Sequence, residues 1–166
     1  FNRQYIAKLS DHDFAEHTRP FLPEWIVPKS GTFKKLIPVL KGKIATFGEV
    51  ATLLGTHGEL GFIHRVHEYD TKTLLWKKNP DVVIATKHLT EIRGYLALIA
   101  DDSFTAETIR AAVWPYVETN GKGDVLWPLR MALTGQEKSP DPFISAELLG
   151  KEESLKRIDV AFEKLS

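Results

Sequence analysis

Apolar residues recur along this chain mostly at helical spacing. Leu89, Ile92, Tyr95, Leu96 and Ile99 fall at offsets 0, 3, 6, 7 and 10 and line one face of a helix. After a break at Asp101 to Ser103, the stretch from Thr105 to Tyr116 resumes the pattern, with Ile109, Ala112, Val113 and Tyr116 on one side. Leu155, Ile158, Phe162 and Leu165 define a last helix, which comes after Gly150 as cap or hinge. Near the start, Ser10 with Asp13 has the spacing of a capping box, and the prolines from Pro20 to Pro28 break the helix it opens. A short apolar run from Phe33 to Leu40 leads to a second such spacing, Thr46 with Glu49, whose helix would bury Val50, Leu53 and Leu54 and stop at Gly55.

Between Leu60 and Pro80 the period is less regular. Leu74, Leu75 and Trp76, with Lys77 and Lys78 directly after them, predict a buried element of open type with a basic rim. Asn120-Gly121-Lys122-Gly123 predicts a turn that uses positive φ. Strand-like alternation is scarce, and no repeat or low-complexity tract appears. The expected fold class is therefore all-α, a helical bundle of two small subdomains. Asn79-Pro80 marks the seam, giving subdomains 1–80 and 81–166.

Composition narrows the function. The 166 residues are 43% hydrophobic and 27% charged, which is the profile of an ordinary folded domain. No cysteine is present, so disulfides, thiolate catalysis and cysteine–zinc sites are excluded, and a reducing, cytoplasmic setting is expected. No apolar run approaches the roughly 18 residues of a spanning helix, and no signal peptide is recognisable. The chain opens on Phe1 without methionine, which suggests a piece of a longer protein. With 22 basic and 22 acidic residues there is no net field to attract nucleic acid, so any RNA binding must be local. The one lopsided stretch is Lys29, Lys34, Lys35, Lys41 and Lys43, a solvated helix face or a phosphate-binding one.

The segment Val125-Leu126-Trp127-Pro128-Leu129-Arg130-Met131-Ala132-Leu133-Thr134-Gly135 resembles the “PLR.ALTG” signature of the C-terminal part of bacterial and organellar glutamyl-tRNA synthetases. The likeness continues through Ser139-Pro140-Asp141-Pro142-Phe143 into the stretch from Leu148 to Ile158, similar to that family's “LLGKE..L.RI” close. At the other end, Asn2 with Tyr5 and Ile6 resembles its “N..YI” segment. The middle, from about Leu53 to Thr86, matches only loosely, through Leu74 to Lys78.

The resemblance implies an all-α anticodon-binding region of a class I ligase that joins glutamate to its tRNA with ATP and Mg²⁺. That chemistry belongs to an N-terminal catalytic domain. Its “HIGH”-like and “KMSKS”-like signatures are absent here, and Phe62-Ile63-His64-Arg65 is no substitute, so the segment is expected to hold no catalytic, cofactor or metal residues of its own. The implied partner is glutamate tRNA, with glutamine tRNA left open, and neither DNA nor membrane is expected; the chain is expected to be a monomer.

Single-stranded loops are where proteins read RNA sequence, because splayed bases expose their pairing edges. An arginine fork donates two parallel hydrogen bonds to such an edge. Aligned to the family, Arg130 takes the position that contacts the first anticodon base, and Ser139 and Pro140 fall on the pair that meets the middle base. Ser139 is expected to cap a helix with Pro140 as its first residue. At Pro142 better-known members carry leucine, and proline removes an amide donor. The family arginine that reads the third base has its counterpart near Lys41-Gly42-Lys43, taken here as Lys43, which lacks the planar fork.

Without the family, Arg130 reads as a structural arginine tied to a helix end or a carboxylate. Trp127 and Trp114 read as core rather than stacking platforms. Lys77 and Lys78 fit a solvated rim or phosphate contacts equally. His88 and His57 have no informative partner. Two rival functions stand: an all-α metal-dependent phosphohydrolase using His12, Asp13 and His17, or His64, His67, Glu68 and Asp70, and a protein-docking module with no RNA role.

Overall fold

A computed structural model describes residues 3–166. Phe1 and Asn2, the latter part of the N-terminal resemblance, lie outside the described residues. Among the described residues the elements are helical throughout, apart from one isolated β-bridge between Trp76 and Asn79. The helices are α1 (Arg3–Lys8), α2 (Asp11–Thr18), α3 (Gly31–Lys43), α4 (Glu49–Leu54), α5 (Val82–Leu98), α6 (Ala106–Asn120), α7 (Lys122–Thr134), α8 (Pro142–Leu149) and α9 (Lys151–Leu165). Short 3₁₀ turns stand at Arg19–Phe21, Gly61–Ile63, Thr71–Leu74 and Asp101–Ser103.

The chain forms two compact units that divide between Arg65 and Val66. This lies ahead of the expected seam after Pro80, for a reason local pattern does not carry. Residues 66–80 are tied by long-range bonds to the second unit: Thr71 Oγ1 donates to the Lys164 carbonyl at 2.6 Å, Lys164 Nζ to the Tyr69 carbonyl at 3.0 Å, and Trp127 Nε1 to the Thr73 carbonyl at 3.0 Å. Asn79-Pro80 makes the predicted turn without separating two bodies.

In the first unit, α1 and α2 pack on α3, around a core that includes Ile6, Phe14, Phe33, Leu36 and Leu40. Ser10 caps α2 as its spacing predicted, accepting from the Asp13 amide at 3.0 Å. The apolar run at Phe33 is the buried face of the full helix α3, capped by Ser30 and continuous through Pro38. Thr46 and Glu49 realise one arm of their box: the Glu49 carboxylate accepts from the amides of Thr46 (3.0 Å) and Ala45 (2.5 Å), and those two bonds hold its acid below the usual range.

The second unit is a five-helix cluster in which α7 touches every other helix. Leu89, Ile92 and Leu96 of α5, Ile109 and Val113 of α6, Val125 and Leu129 of α7, and Ile158 and Ala161 of α9 share its core. Gly121, at φ +96°, both closes α6 and opens α7, as the glycine-rich turn predicted. Gly123 plays a different part inside α7, because a Cβ there would stand 2.1 Å from the Trp76 ring.

His88, expected to lack an informative partner, is buried on α5 with Nδ1 2.8 Å from the Tyr116 hydroxyl. Burial lowers its pKa below the ordinary value, with Asp124 pulling it up and Lys87 down by smaller amounts. Since the folded pKa is the depressed one, the unfolded chain binds the proton first as pH falls through about 6.5. Stability carried by neutral His88 is thus complete above that value and is lost progressively below it. Between about pH 7.5 and about pH 5.5 the urea midpoint of the wild type should fall further than that of His88→Gln. Equal falls would show that His88 does not contribute.

Candidate functional site

In the second unit a hydrogen-bonded loop forms where α7 hands over to α8. Gly135 ends α7 in the left-handed region at φ +65°, and a Cβ there would meet the His67 carbonyl at 2.7 Å, so only glycine lets the chain turn this tightly. Thr134, fully buried, steers the next residues: its Oγ1 donates toward the Arg130 carbonyl at 2.8 Å and accepts from the Gln136 amide at 3.0 Å. Residues 136–141 then form a loop that returns to the side of α7.

Arg130 fastens that loop. Its Nη1 donates to the Ser139 carbonyl (2.7 Å), the Ser139 hydroxyl (2.9 Å) and the Pro140 carbonyl (2.9 Å). The buried Ser145 hydroxyl adds a second bond to the Pro140 carbonyl at 3.2 Å. Three of the five residues expected at the site, Arg130, Ser139 and Pro140, are therefore joined directly, and one nitrogen of Arg130 has a structural role, tied to the loop rather than to the helix end or carboxylate weighed for it. Among the described residues its Nη2 and Nε make no hydrogen bond, and neither do the backbone amides of Ser139 and Asp141. These donors stand around one turn of chain held in place by the arginine.

The helix cap is corrected by two residues. Asp141, not Ser139, caps α8, its Oδ1 accepting from the amides of Phe143 (2.9 Å) and Ile144 (3.0 Å). Pro142, not Pro140, is the first helical residue. A carboxylate at this place satisfies two orphan amides and favours the positive end of the helix. Proline costs no intrahelical bond there, so the missing amide of Pro142 leaves α8 intact. Pro140 and Pro142 are both buried. Replacing Asp141 with alanine should destabilise the protein by about 1 kcal/mol in urea unfolding, the usual worth of an N-cap; an unchanged midpoint would mean that the capping bonds are not formed in solution.

Lys43 closes α3 in the first unit. Its Nζ pairs with Glu59 Oε1 at 2.7 Å, both side chains being more than two-thirds buried at 29% and 16% exposure. Sequence spacing gave no sign of this pair, which α4 and the turns after it bring together.

The remaining candidates separate clearly. Trp127 is half-buried and bonded to the backbone, and Trp114 packs at the edge of the core. Lys77 and Lys78 are exposed, the ammonium of Lys78 lying 5.6 Å from the Trp76 ring centroid. His64 stacks on Trp25 at 5.0 Å, and His17 meets Phe47 at 5.0 Å. Among the described residues no group of three His, Asp or Glu side chains gathers in a way that would hold a metal. No described helix is long and apolar enough to cross a membrane.

Residues 13–162 match the family described as “Anticodon binding domain”. Over 99% of its length the chain is 32% identical to a glutamate–tRNA ligase of Porphyromonas gingivalis and 31% identical to one of Clostridium novyi, spanning 31% and 34% of those proteins. A solved glutamate tRNA ligase from Elizabethkingia meningosepticum, in complex with its amino acid, superposes over 99% of the chain and 31% of its own, with a TM-score of 0.74 at 24% identity. The chain thus spans about a third of the relatives it resembles, and a likeness this distant in sequence speaks for the fold. With the family model covering nearly the whole helical structure, the chain belongs to the anticodon binding domain family.

Proposed function

We propose that this chain is the anticodon-reading portion of a glutamate–tRNA ligase, and that the loop between α7 and α8 with its Arg130 clamp is the surface that reads. The observation that carries the proposal is the coincidence of the family match with a turn of backbone fixed by one nitrogen of Arg130 while its Nη2 and Nε, and the Ser139 and Asp141 amides, stay unengaged among the described residues. Base edges offer acceptors that such donors fit, and donors locked before binding lose little entropy when they engage. Arg130 would meet the first anticodon base, and the backbone at Ser139 and Pro140 the middle one. Because Pro140 and Pro142 are buried, they act by shaping this backbone.

Lys43 lacks a planar fork and already donates to Glu59, so selectivity at the third base should be weaker than at the other two. Glutamate tRNA is the proposed partner, and glutamine tRNA the nearest competitor. ATP and Mg²⁺ would be handled by a separate catalytic domain of the ligase, acting in the cytoplasm, with this part a monomer. Fluorescence-anisotropy titration against anticodon stem-loops of glutamate tRNA, glutamine tRNA and an unrelated tRNA tests the reading. Preference for the first two over the third is expected, and equal binding of all three would overturn it.

A further inference from the structure

We propose that Arg110, Trp114 and Lys122 form a docking point for the RNA sugar–phosphate backbone beside the α7–α8 loop, fixing the position of the anticodon arm without reading its sequence. This rests on the function proposed above.

Three helices converge at the point. Arg110 and Trp114 are four residues apart on α6 and share a face. The Arg110 guanidinium lies 4.4 Å from the Trp114 ring centroid and 5.6 Å from that of Phe143, the second residue of α8. Lys122, the first residue of α7, places its ammonium 5.3 Å from the same indole. Trp114 and Phe143 meet edge to face at 6.4 Å.

The arrangement gathers two cations that have no direct partner. Among the described residues neither Arg110 nor Lys122 makes an ion pair or hydrogen bond, whereas Arg93, Arg130 and Arg157, the other arginines of this unit, are all hydrogen-bonded. The nearby carboxylate, Glu118, is engaged with the ring instead, accepting from indole Nε1 at 2.6 Å. Lys122 also stands at the positive end of α7, where the helix dipole disfavours a cation. Two exposed cations gathered on one indole, one of them set against its own helix, fit an anion from outside.

The chemistry selects phosphate over base. With both cations over the indole, Trp114 is a support rather than a stacking platform. A guanidinium lying on an aromatic ring keeps its N–H edge available, and that edge suits two phosphate oxygens. Arg110 touches Phe143, the neighbour of Pro142, so a strand engaged at the α7–α8 loop would continue onto it. Such contacts set register and carry no sequence information.

The test compares wild type with Arg110→Gln/Lys122→Gln, binding the glutamate stem-loop and a stem-loop of scrambled loop sequence from low to physiological salt. The double variant should weaken both RNAs by the same factor, about tenfold, and reduce the slope of log affinity against log salt by about 1.5. Arg110→Lys should keep most of that slope, and thermal melting should show all variants folded. Unchanged affinity and slope, or a loss confined to one loop sequence, would overturn the docking point alone. Wild type that bound no stem-loop would overturn the proposed function and this inference together.

Discussion

Replacing Arg157 with alanine is expected to destabilise the protein by about 3 kcal/mol, the largest effect of any single side chain considered. Arg157 is 6% exposed on α9, and its Nη1 donates to the Leu133 carbonyl at 2.6 Å while Nε donates to Glu153 at 2.9 Å. Leu133 lies in the last turn of α7, where carbonyls have no intrahelical donor. The arginine supplies one from another helix. Its removal strands a buried acceptor and also leaves a void where the side chain packed, and these costs add. Arg93 on α5 is the control: its fork grips Asp159 at 2.6 and 2.9 Å, but the two side chains are 36% and 50% exposed, so its loss should cost less than about 1 kcal/mol. Urea unfolding of the two variants separates the cases. Because Leu133 adjoins Thr134 and Gly135, Arg157→Ala should also loosen the α7–α8 loop and weaken RNA binding; equal midpoints for the two variants would refute the bond to Leu133.

Gly123→Ala should cost about 2 kcal/mol, although alanine is the better helix former. Propensity alone favours the substitution by about 1 kcal/mol. Against it, the new methyl would stand 2.1, 2.3 and 2.4 Å from Cζ2, Cε2 and Cη2 of Trp76. An indole moves only as a plate, and overpacking of this kind typically costs about 1–3 kcal/mol, sometimes more. Displacing Trp76 also disturbs Asn79, whose side-chain amide donates to Asp124 of α7 at 2.8 Å. Gly94→Ala on α5 provides the opposite sign, since nothing lies within 4 Å of its would-be Cβ, and it should stabilise by up to about 1 kcal/mol. The pair is decided by thermal or urea unfolding, and stabilisation by both substitutions would contradict the packing of Trp76 on α7.

Helices α5, α6 and α9 were legible because their buried faces repeat at helical spacing, and the cap at Ser10 because capping is a local contact. Where distant segments decide, the sequence is silent. The compact units divide after Arg65 rather than after Pro80, because bonds joining Tyr69 and Thr71 to Lys164 span most of the second unit. Gly123 read as a turn residue, yet its need for glycine comes from Trp76. His88 lacked a partner in sequence and found Tyr116 on the next helix. The cap at Asp141 is a different miss: Asp-Pro is itself a strong start signal, and the family alignment drew attention to Ser139 instead. At the proposed site, the family resemblance points to Arg130, Ser139 and Pro140, but not to the arginine holding the other two. The pairing of Lys43 with Glu59 was equally hidden.

The α7–α8 loop and Arg130 are proposed to read an anticodon. A double-mutant cycle tests this most directly, crossing Arg130→Ala with a change of the first anticodon base in the glutamate stem-loop, and monitoring binding and fold together. Wild type is expected to discriminate between the two loops and the variant, still folded, to bind both alike, so that the two changes are strongly coupled. Discrimination that survived in the variant, with the changes simply additive, would mean that Arg130 serves the loop's structure alone and that the base is read elsewhere.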